Sequence, residues 1–378
     1  MPSRAEQLLT LGQSVWLDFI RRGHLVSGEF DRLVRNEGVV GVTSNPTIFQ
    51  LAIAESEDYD ASIARRVGQG LAGPALFEAL AIEDIQAACD RLRGVYERSR
   101  GLDGRVSIEV SPRLAHDTAG TIAEARRLHR EVARDNLYVK IPATSEGLPA
   151  IAELIAAGIC INVTLIFSLA RHAQVMDAYL RGLEARAARR EALDRVFSVA
   201  SFFVSRVDSK VDKAIEQRAA ALPAGSAERA ELEALEGKAA IANARLAYAQ
   251  FRREFSSPRF AALRAARANL QRPLWASTST KNPAYPDTLY VDELIGSDTV
   301  NTMPLSTLAA FNDHGTVEPR LGRDLDRAEK LFRRLPELGI PLERLIDQLE
   351  EEGVVAFTKS YESLLETLET RRAQLAAR

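Results

Sequence analysis

Lysine is scarce in this chain. Lysine and arginine total 49, but only seven are lysines, at 140, 210, 213, 238, 281, 330 and 359. Arginine is the default cation, so a lysine kept inside an apolar run calls for a property that arginine lacks: an amine able to lose its proton and attack a carbonyl. Cysteine is scarcer still. Cys89 and Cys160 are the only two, too few and too far apart for a disulfide framework or a zinc site, and they fit a reduced, cytoplasmic setting. No apolar run approaches the roughly 18 residues of a membrane span, and the N-terminal stretch lacks a signal-peptide core. The five histidines (24, 116, 129, 172 and 314) have no metal-ligand spacing, and His116, His129 and His172 read as structural residues in or near helices. The formal net charge is −3 with both signs interspersed, which excludes the basic face of a nucleic-acid or membrane-surface binder.

What the chain does have is alternation. Short apolar runs lie at 14–20, 38–44, 105–112, 136–143, 160–168, 197–204, 272–278 and 299–304. Helical stretches separate them; in one, Leu169, Ala173, Met176, Leu180 and Leu183 step by four and three along a single face. Continuous apolar strands separated by helices indicate a parallel sheet covered on both sides, and eight such units predict a (β/α)8 TIM barrel. Pro223 and Gly225 split the 205–256 segment into two helices, the second a long one over 227–251. Further helices follow from Pro319. No linker composition appears, so residues 1–378 read as one catalytic domain with a C-terminal helical extension from about 319.

In such a barrel the chemistry sits at the C-terminal ends of the strands. Polar residues occur there on every strand: Asp18, then Thr43 and Asn45, Glu109, Lys140, Asn162 and Thr164, Ser201 and Arg206, Ser277, and Asn301 with Thr302. Each has a structural alternative. Asp18 could pair with a barrel cation, Asn45 before Pro46 could open a turn, and Arg206 could be a surface cation at a helix start. Together they suggest one converging site, because polar groups in buried runs are costly unless paired or facing a polar cavity. Lys140 lies among Leu137, Val139, Ile141 and Pro142. A deprotonated amine in apolar surroundings can form an imine with a ketone, and the protonated imine is an electron sink for cleavage of the adjacent C–C bond. Asp18 and Glu109 are available for the proton transfers, asparagine and threonine for sugar hydroxyls, and a guanidinium for a terminal phosphate.

The motifs resemble those of the transaldolase family. GVTSNPTIF (41–49) is similar to its T-[TS]-N-P segment, VSIEVSPRL (106–114) to its V-S-x-E-V strand, and LYVKIPATSEGL (137–148) to its lysine signature. CINVTLIFSLAR (160–171) matches N-x-T-L-x-F-S, and SFFVSRVD (201–208) matches S-P-F-V-G-R-x-D. The resemblance implies that Lys140 forms a Schiff base, that Asp18 acts on the C4 hydroxyl, and that Glu109 and Thr164 position a catalytic water. It implies that Asn45 and Asn162, beside Thr43, hold a dihydroxyacetone unit, that Ser201 and Phe203 wall the site, and that Arg206 binds phosphate. Two departures stand out. The family's S-F-R after the seventh strand is ASTSTKNP (276–283) here: Ser277 matches the serine, no arginine follows, and Lys281 is the candidate replacement. Phe202 stands where the family has proline.

The long 227–251 helix suggests a longer bacterial branch. The implied reaction passes dihydroxyacetone from sedoheptulose 7-phosphate to glyceraldehyde 3-phosphate in the pentose phosphate pathway. No metal or organic cofactor is expected, and the partners expected are sugar phosphates, with the chain a monomer or homodimer. A class I aldolase releasing free dihydroxyacetone and a non-catalytic barrel are the competing readings.

Overall fold

The eight apolar runs pair side by side in the computed structural model, which describes residues 2–376. The strands are β1 (Gln13–Leu17), β2 (Val39–Val42), β3 (Arg105–Glu109), β4 (Leu137–Pro142), β5 (Ile161–Ile166), β6 (Ser198–Phe203), β7 (Gln271–Ala276) and β8 (Thr299–Met303). They close in sequence order into the expected (β/α)8 barrel, every neighbouring pair parallel. Helices cover the outside, and one continuous hydrophobic cluster runs from Ala5 to Leu368.

The strands stop short of the apolar runs that announce them, most clearly at the first. Phe19 and Ile20 were grouped with β1 by residue type, yet the chain leaves the ladder after Asp18, whose N–H still donates to the Met303 carbonyl at 2.8 Å. Thr43 is tied in the same way to Leu17 at 2.9 Å. Asp18 and Thr43 therefore sit at the rim of the barrel, on the last rung of backbone bonding.

Alternation decides which side chains enter the barrel. Across the β3–β4–β5 register, Glu109 lies beside Lys140 and Lys140 beside Asn162, so the three share the inner face. Trp16 pairs with Gly41 and with Thr302, which sets Asn301, one residue before Thr302, on the opposite face. Asn301 accepts a hydrogen bond from Thr278 at 2.9 Å there. The strand-end expectation for Asn301 is thus corrected: its position in the strand is right and its direction is wrong.

The 205–256 segment forms three helices, not two: Ser205–Ala220, Ala227–Glu233 and Ala239–Glu254. The expected 227–251 helix breaks at Gly237, which takes φ +68°, and the Gly237 N–H donates to Asp212 at 3.0 Å. Asp208, one turn earlier on the first of these helices, accepts from the Ala240 N–H at 2.7 Å and from the Tyr290 hydroxyl at 2.9 Å. Two aspartates four residues apart thus satisfy the backbone where the helix restarts, which outweighs the helical composition of the stretch. The chain ends in the helices Leu325–Glu337 and Leu342–Ala376.

Gly41 is required by space. A Cβ there would lie 2.6 Å from the Trp16 indole, and Trp16 is fully buried with no room to retreat. Gly41→Ala is expected to destabilise the barrel by about 1–3 kcal/mol, read as a lower thermal melting temperature; an unchanged melting temperature would show that the indole can move.

Candidate active site

Lys140 points from the middle of β4 into the barrel, and its side chain is 5% exposed. The Nζ lies 3.1 Å from Glu109 Oε2, itself on a side chain 7% exposed, and donates to the Ser44 carbonyl at 3.2 Å. The ring of Phe357, on the C-terminal helix, stands 5.7 Å from the same nitrogen. An arginine would not replace this group: the fit is to one compact ammonium among a carboxylate, a carbonyl and a ring.

Asp18 faces the same space from the rim of β1. Its Oδ1 accepts from the Thr43 hydroxyl at 2.7 Å, and that hydroxyl also lies 2.7 Å from the Thr302 hydroxyl. Burial pushes the Asp18 carboxyl above the ordinary range for aspartate; the charges of Lys140 and Lys281 and the Thr43 hydrogen bond oppose the shift without cancelling it. Glu109 is raised as well, again first by burial, with Lys140 opposing and the Asp18 charge adding to the rise. Two carboxyls drawn out of water beside a single lysine favour retention of a proton.

The remaining candidates divide into three groups. Asn162 and Ser201 are brought together: Ser201 Oγ donates to Asn162 Oδ1 at 2.7 Å, and Asn162 Nδ2 donates to Ser107 Oγ at 3.0 Å. The amide of Asn162 keeps one N–H in reserve. Asn45 is half-buried and its Oδ1 caps the helix Pro46–Ala54 through the Ile48 N–H at 3.0 Å, so the turn-opening alternative describes its oxygen and leaves its NH2 free. Thr164 is buried with a hydroxyl that has no partner, and Glu109 Oε2 has an ion pair with no aligned hydrogen bond. These two atoms, on the strands either side of β4, have the unmet capacity that an ordered water would fill.

Further out, Phe203 packs on Phe167 with ring centroids 5.1 Å apart, and the Arg206 guanidinium lies 5.7 Å from the Phe203 ring. Burial lowers the pKa of Arg206, opposed by the charge of Glu352, and among the described residues no carboxylate lies at ion-pair distance from it. A partly buried, unpaired guanidinium at the start of a helix is suited to an anion. Ser277, with φ +57°, places its hydroxyl 2.9 Å from that of Ser205, the first residue of the same helix. Lys281 is exposed and donates to Ser279 Oγ at 2.9 Å. Its charge reaches Asp18, but it stands at the edge of the site and not in it.

Three residues at the site lie outside the strand-end pattern, and a fourth, Thr302, lies within it. Ser107 was available from alternation, two residues before Glu109. Ser44 acts through its carbonyl, which carries no sequence signal. Thr302 was noted as a strand-end polar residue without a task. Phe357 comes from a helix 217 positions after Lys140 in the chain and could be placed only by tertiary packing. His172 is buried on an outer helix against Phe202, rings 5.6 Å apart, and burial lowers its pKa to about 4, in keeping with a structural part. Among the described residues no group of three or more His, Cys, Asp or Glu side chains is placed to hold a metal ion, and no helix is long and apolar enough to cross a membrane.

Comparison with known proteins gives a consistent picture. The family model described as transaldolase/fructose-6-phosphate aldolase matches residues 15–368. The chain is 49% identical to "Transaldolase" of Thermobifida fusca over 378 residues, covering 100% of both chains. It is 49% identical to "Transaldolase 1" of Streptomyces coelicolor over 361 residues, 95% of this chain and 92% of that one. With "Transaldolase" of Trichodesmium erythraeum it shares 44% identity over 371 residues, 98% and 97% of the two chains.

The electrostatics predict a separation of stability from activity. A carboxyl whose folded pKa is raised contributes stability below its unfolded pKa and loses it as pH rises through the folded value. Asp18→Asn mimics the protonated form and keeps an oxygen for Thr43. At neutral pH it is expected to melt as high as the parent or higher by a few degrees, the advantage shrinking in acid, while activity falls. A variant that melts clearly lower at neutral pH and gains stability in acid would reverse the assigned sign.

Proposed function

The chain belongs to the transaldolase/fructose-6-phosphate aldolase family, and on that premise we propose that it acts as a transaldolase through an imine on Lys140. The observation that carries the proposal is the buried Lys140–Glu109 pair at 3.1 Å, with Asp18 in the same charge system. A structural ion pair gains little from such burial, because desolvation of both partners offsets their attraction. An amine that must exchange protons with a neighbouring carboxyl requires it.

In the proposed cycle the neutral Lys140 amine attacks C2 of sedoheptulose 7-phosphate. Glu109 and Thr164 hold the water that leaves as the carbinolamine becomes an iminium, and Glu109 carries the proton between amine and oxygen. Asp18 then takes the proton of the C4 hydroxyl. The C3–C4 bond breaks, its electron pair moves into the iminium, and erythrose 4-phosphate departs. The enamine left on Lys140 attacks the aldehyde carbon of glyceraldehyde 3-phosphate; Asp18 returns its proton to the new alkoxide, and hydrolysis of the imine releases fructose 6-phosphate. A carboxyl raised by burial suits both proton transfers, since a general acid–base works best with its pKa near the working pH.

The substrate contacts belong to the same proposal. Thr43, Asn45, Asn162 and Ser201 meet the hydroxyls of the three-carbon unit, and Phe203 forms an apolar wall. Arg206 and Ser277 take the phosphate, with Lys281 as the outer cation where the family motif has arginine. We read the chain as one catalytic domain with an extension from about residue 319, acting in the cytoplasm on sugar phosphates of the pentose phosphate pathway as a monomer or homodimer.

Borohydride reduction in the presence of fructose 6-phosphate tests the assignment. The expected result is a covalent adduct on the peptide containing Lys140, and none in Lys140→Arg, whose guanidinium stays protonated and forms no imine. Trapping on a different lysine, or trapping that persists in Lys140→Arg, would refute it.

A further inference from the structure

Imine chemistry on a barrel strand does not by itself call for a 35-residue helix, yet the helix Leu342–Ala376 lies across the end of the barrel where Lys140 opens. Its buried residues include Leu349, Gly353, Phe357, Tyr361, Leu364 and Leu368, spaced by four or three, so one stripe faces the barrel. At Gly353 the helix backbone comes down onto β5: a Cβ there would lie 2.9 Å from Leu165 Cδ2 and 3.6 Å from Phe167. One turn later Phe357, 5% exposed, brings its ring to 5.7 Å from the Lys140 nitrogen.

The helix is fastened from several directions. Arg171 grips Glu350 through two hydrogen bonds of 2.8 and 3.1 Å, and Lys210 pairs with Glu352. Thr47 bonds Ser360 at 2.9 Å. Arg113 forks onto Glu362 at 2.9 and 2.8 Å, and Arg371 onto Asp60 at 2.6 and 3.0 Å. Partners before and after Phe357 fix both its height and its rotation over the amine.

We propose that Phe357 is a specificity-determining residue: its ring shields the carbon unit on Lys140 from water and so sets how much of it is transferred and how much is released. This rests on the imine reading of Lys140. After C–C cleavage the enamine has two fates. Its nucleophilic carbon can attack an acceptor aldehyde, forming a new C–C bond. Alternatively that carbon takes a proton, water adds to C2 of the iminium, the C2–N bond breaks, the nitrogen receives a proton, and free dihydroxyacetone leaves. Water at C2 completes both routes; what sets the second apart is the proton taken by the enamine carbon, and an aromatic ring held over the site excludes the water that would carry it. An aldehyde acceptor arrives with its own binding contacts and is retained.

The test compares two rates with fructose 6-phosphate as donor: release of free dihydroxyacetone without acceptor, and transfer to erythrose 4-phosphate. Phe357→Ala is expected to raise the release-to-transfer ratio by at least about tenfold. Phe357→Leu, which keeps apolar volume and loses the ring, should raise it by about threefold and serves alone if the alanine variant does not fold. Val355, 58% exposed on the same helix, gives the control: Val355→Ala should leave the ratio unchanged. A ratio unchanged in folded Phe357→Ala, or in Phe357→Leu where it is the variant read, overturns the inference. The parent enzyme is trapped with borohydride in parallel. An adduct on Lys140 with no change of ratio sinks the role of Phe357 alone, whereas absence of an adduct sinks the imine reading beneath it.

Discussion

The mouth of this barrel is arranged around the buried Lys140, paired with Glu109 and within the field of Asp18. Lys140 is 3.1 Å from Glu109; its charge acts on both Asp18 and Glu109, and the charge of Asp18 acts on Glu109. Three fully charged groups there would carry a net charge of −1 out of water, and desolvation makes that state expensive. The system resolves the conflict by raising both carboxyls, which makes a proton available next to an amine. The electrostatic discomfort of the site and its proton-transfer capacity are one property.

The barrel is what makes such a group of charges tolerable. The inner face offers hydrogen bonds at fixed positions: Thr43 to Asp18, Ser44 carbonyl to Lys140, and the chain from Ser201 through Asn162 to Ser107. Each partner comes from a strand one or two places away around the barrel, so the closed register of β1 to β8 sets the geometry of the site and a one-residue slip would turn the side chains outward. Thr164 Oγ1 and Glu109 Oε2, which flank Lys140 on β5 and β3, are among the buried atoms without a hydrogen-bond partner, and in the proposed cycle they hold the water of the reaction.

How much of this was legible in the sequence depends on the range of the cause. Strand runs, alternation and the polar residues at strand ends are local, and they were enough for the barrel and for the meeting of Lys140, Glu109, Asp18 and Asn162. Asn301 shows the limit of reading residue type without phase: one step from Thr302, it faces the other way and bonds Thr278. The broken helix at Gly237 shows a second limit, since the carboxylate that accepts its N–H belongs to Asp212, 25 positions earlier. Phe357 shows the third. Its stripe is visible as a helical pattern, but the surface it meets is set by ion pairs to Arg171, Lys210 and Arg113, long-range contacts that no local pattern encodes.

In the proposed cycle Asp18 acts after the imine has formed. Asp18→Ala, incubated with fructose 6-phosphate and borohydride and weighed intact, tests this most directly. Loss of a positioned base typically costs ~10²–10⁴-fold in rate, so cleavage should stall while imine formation continues. The predicted result is a folded protein carrying the mass of the whole reduced sugar phosphate on Lys140. A folded Asp18→Ala enzyme with near-normal turnover, or one carrying only the three-carbon fragment, would contradict it.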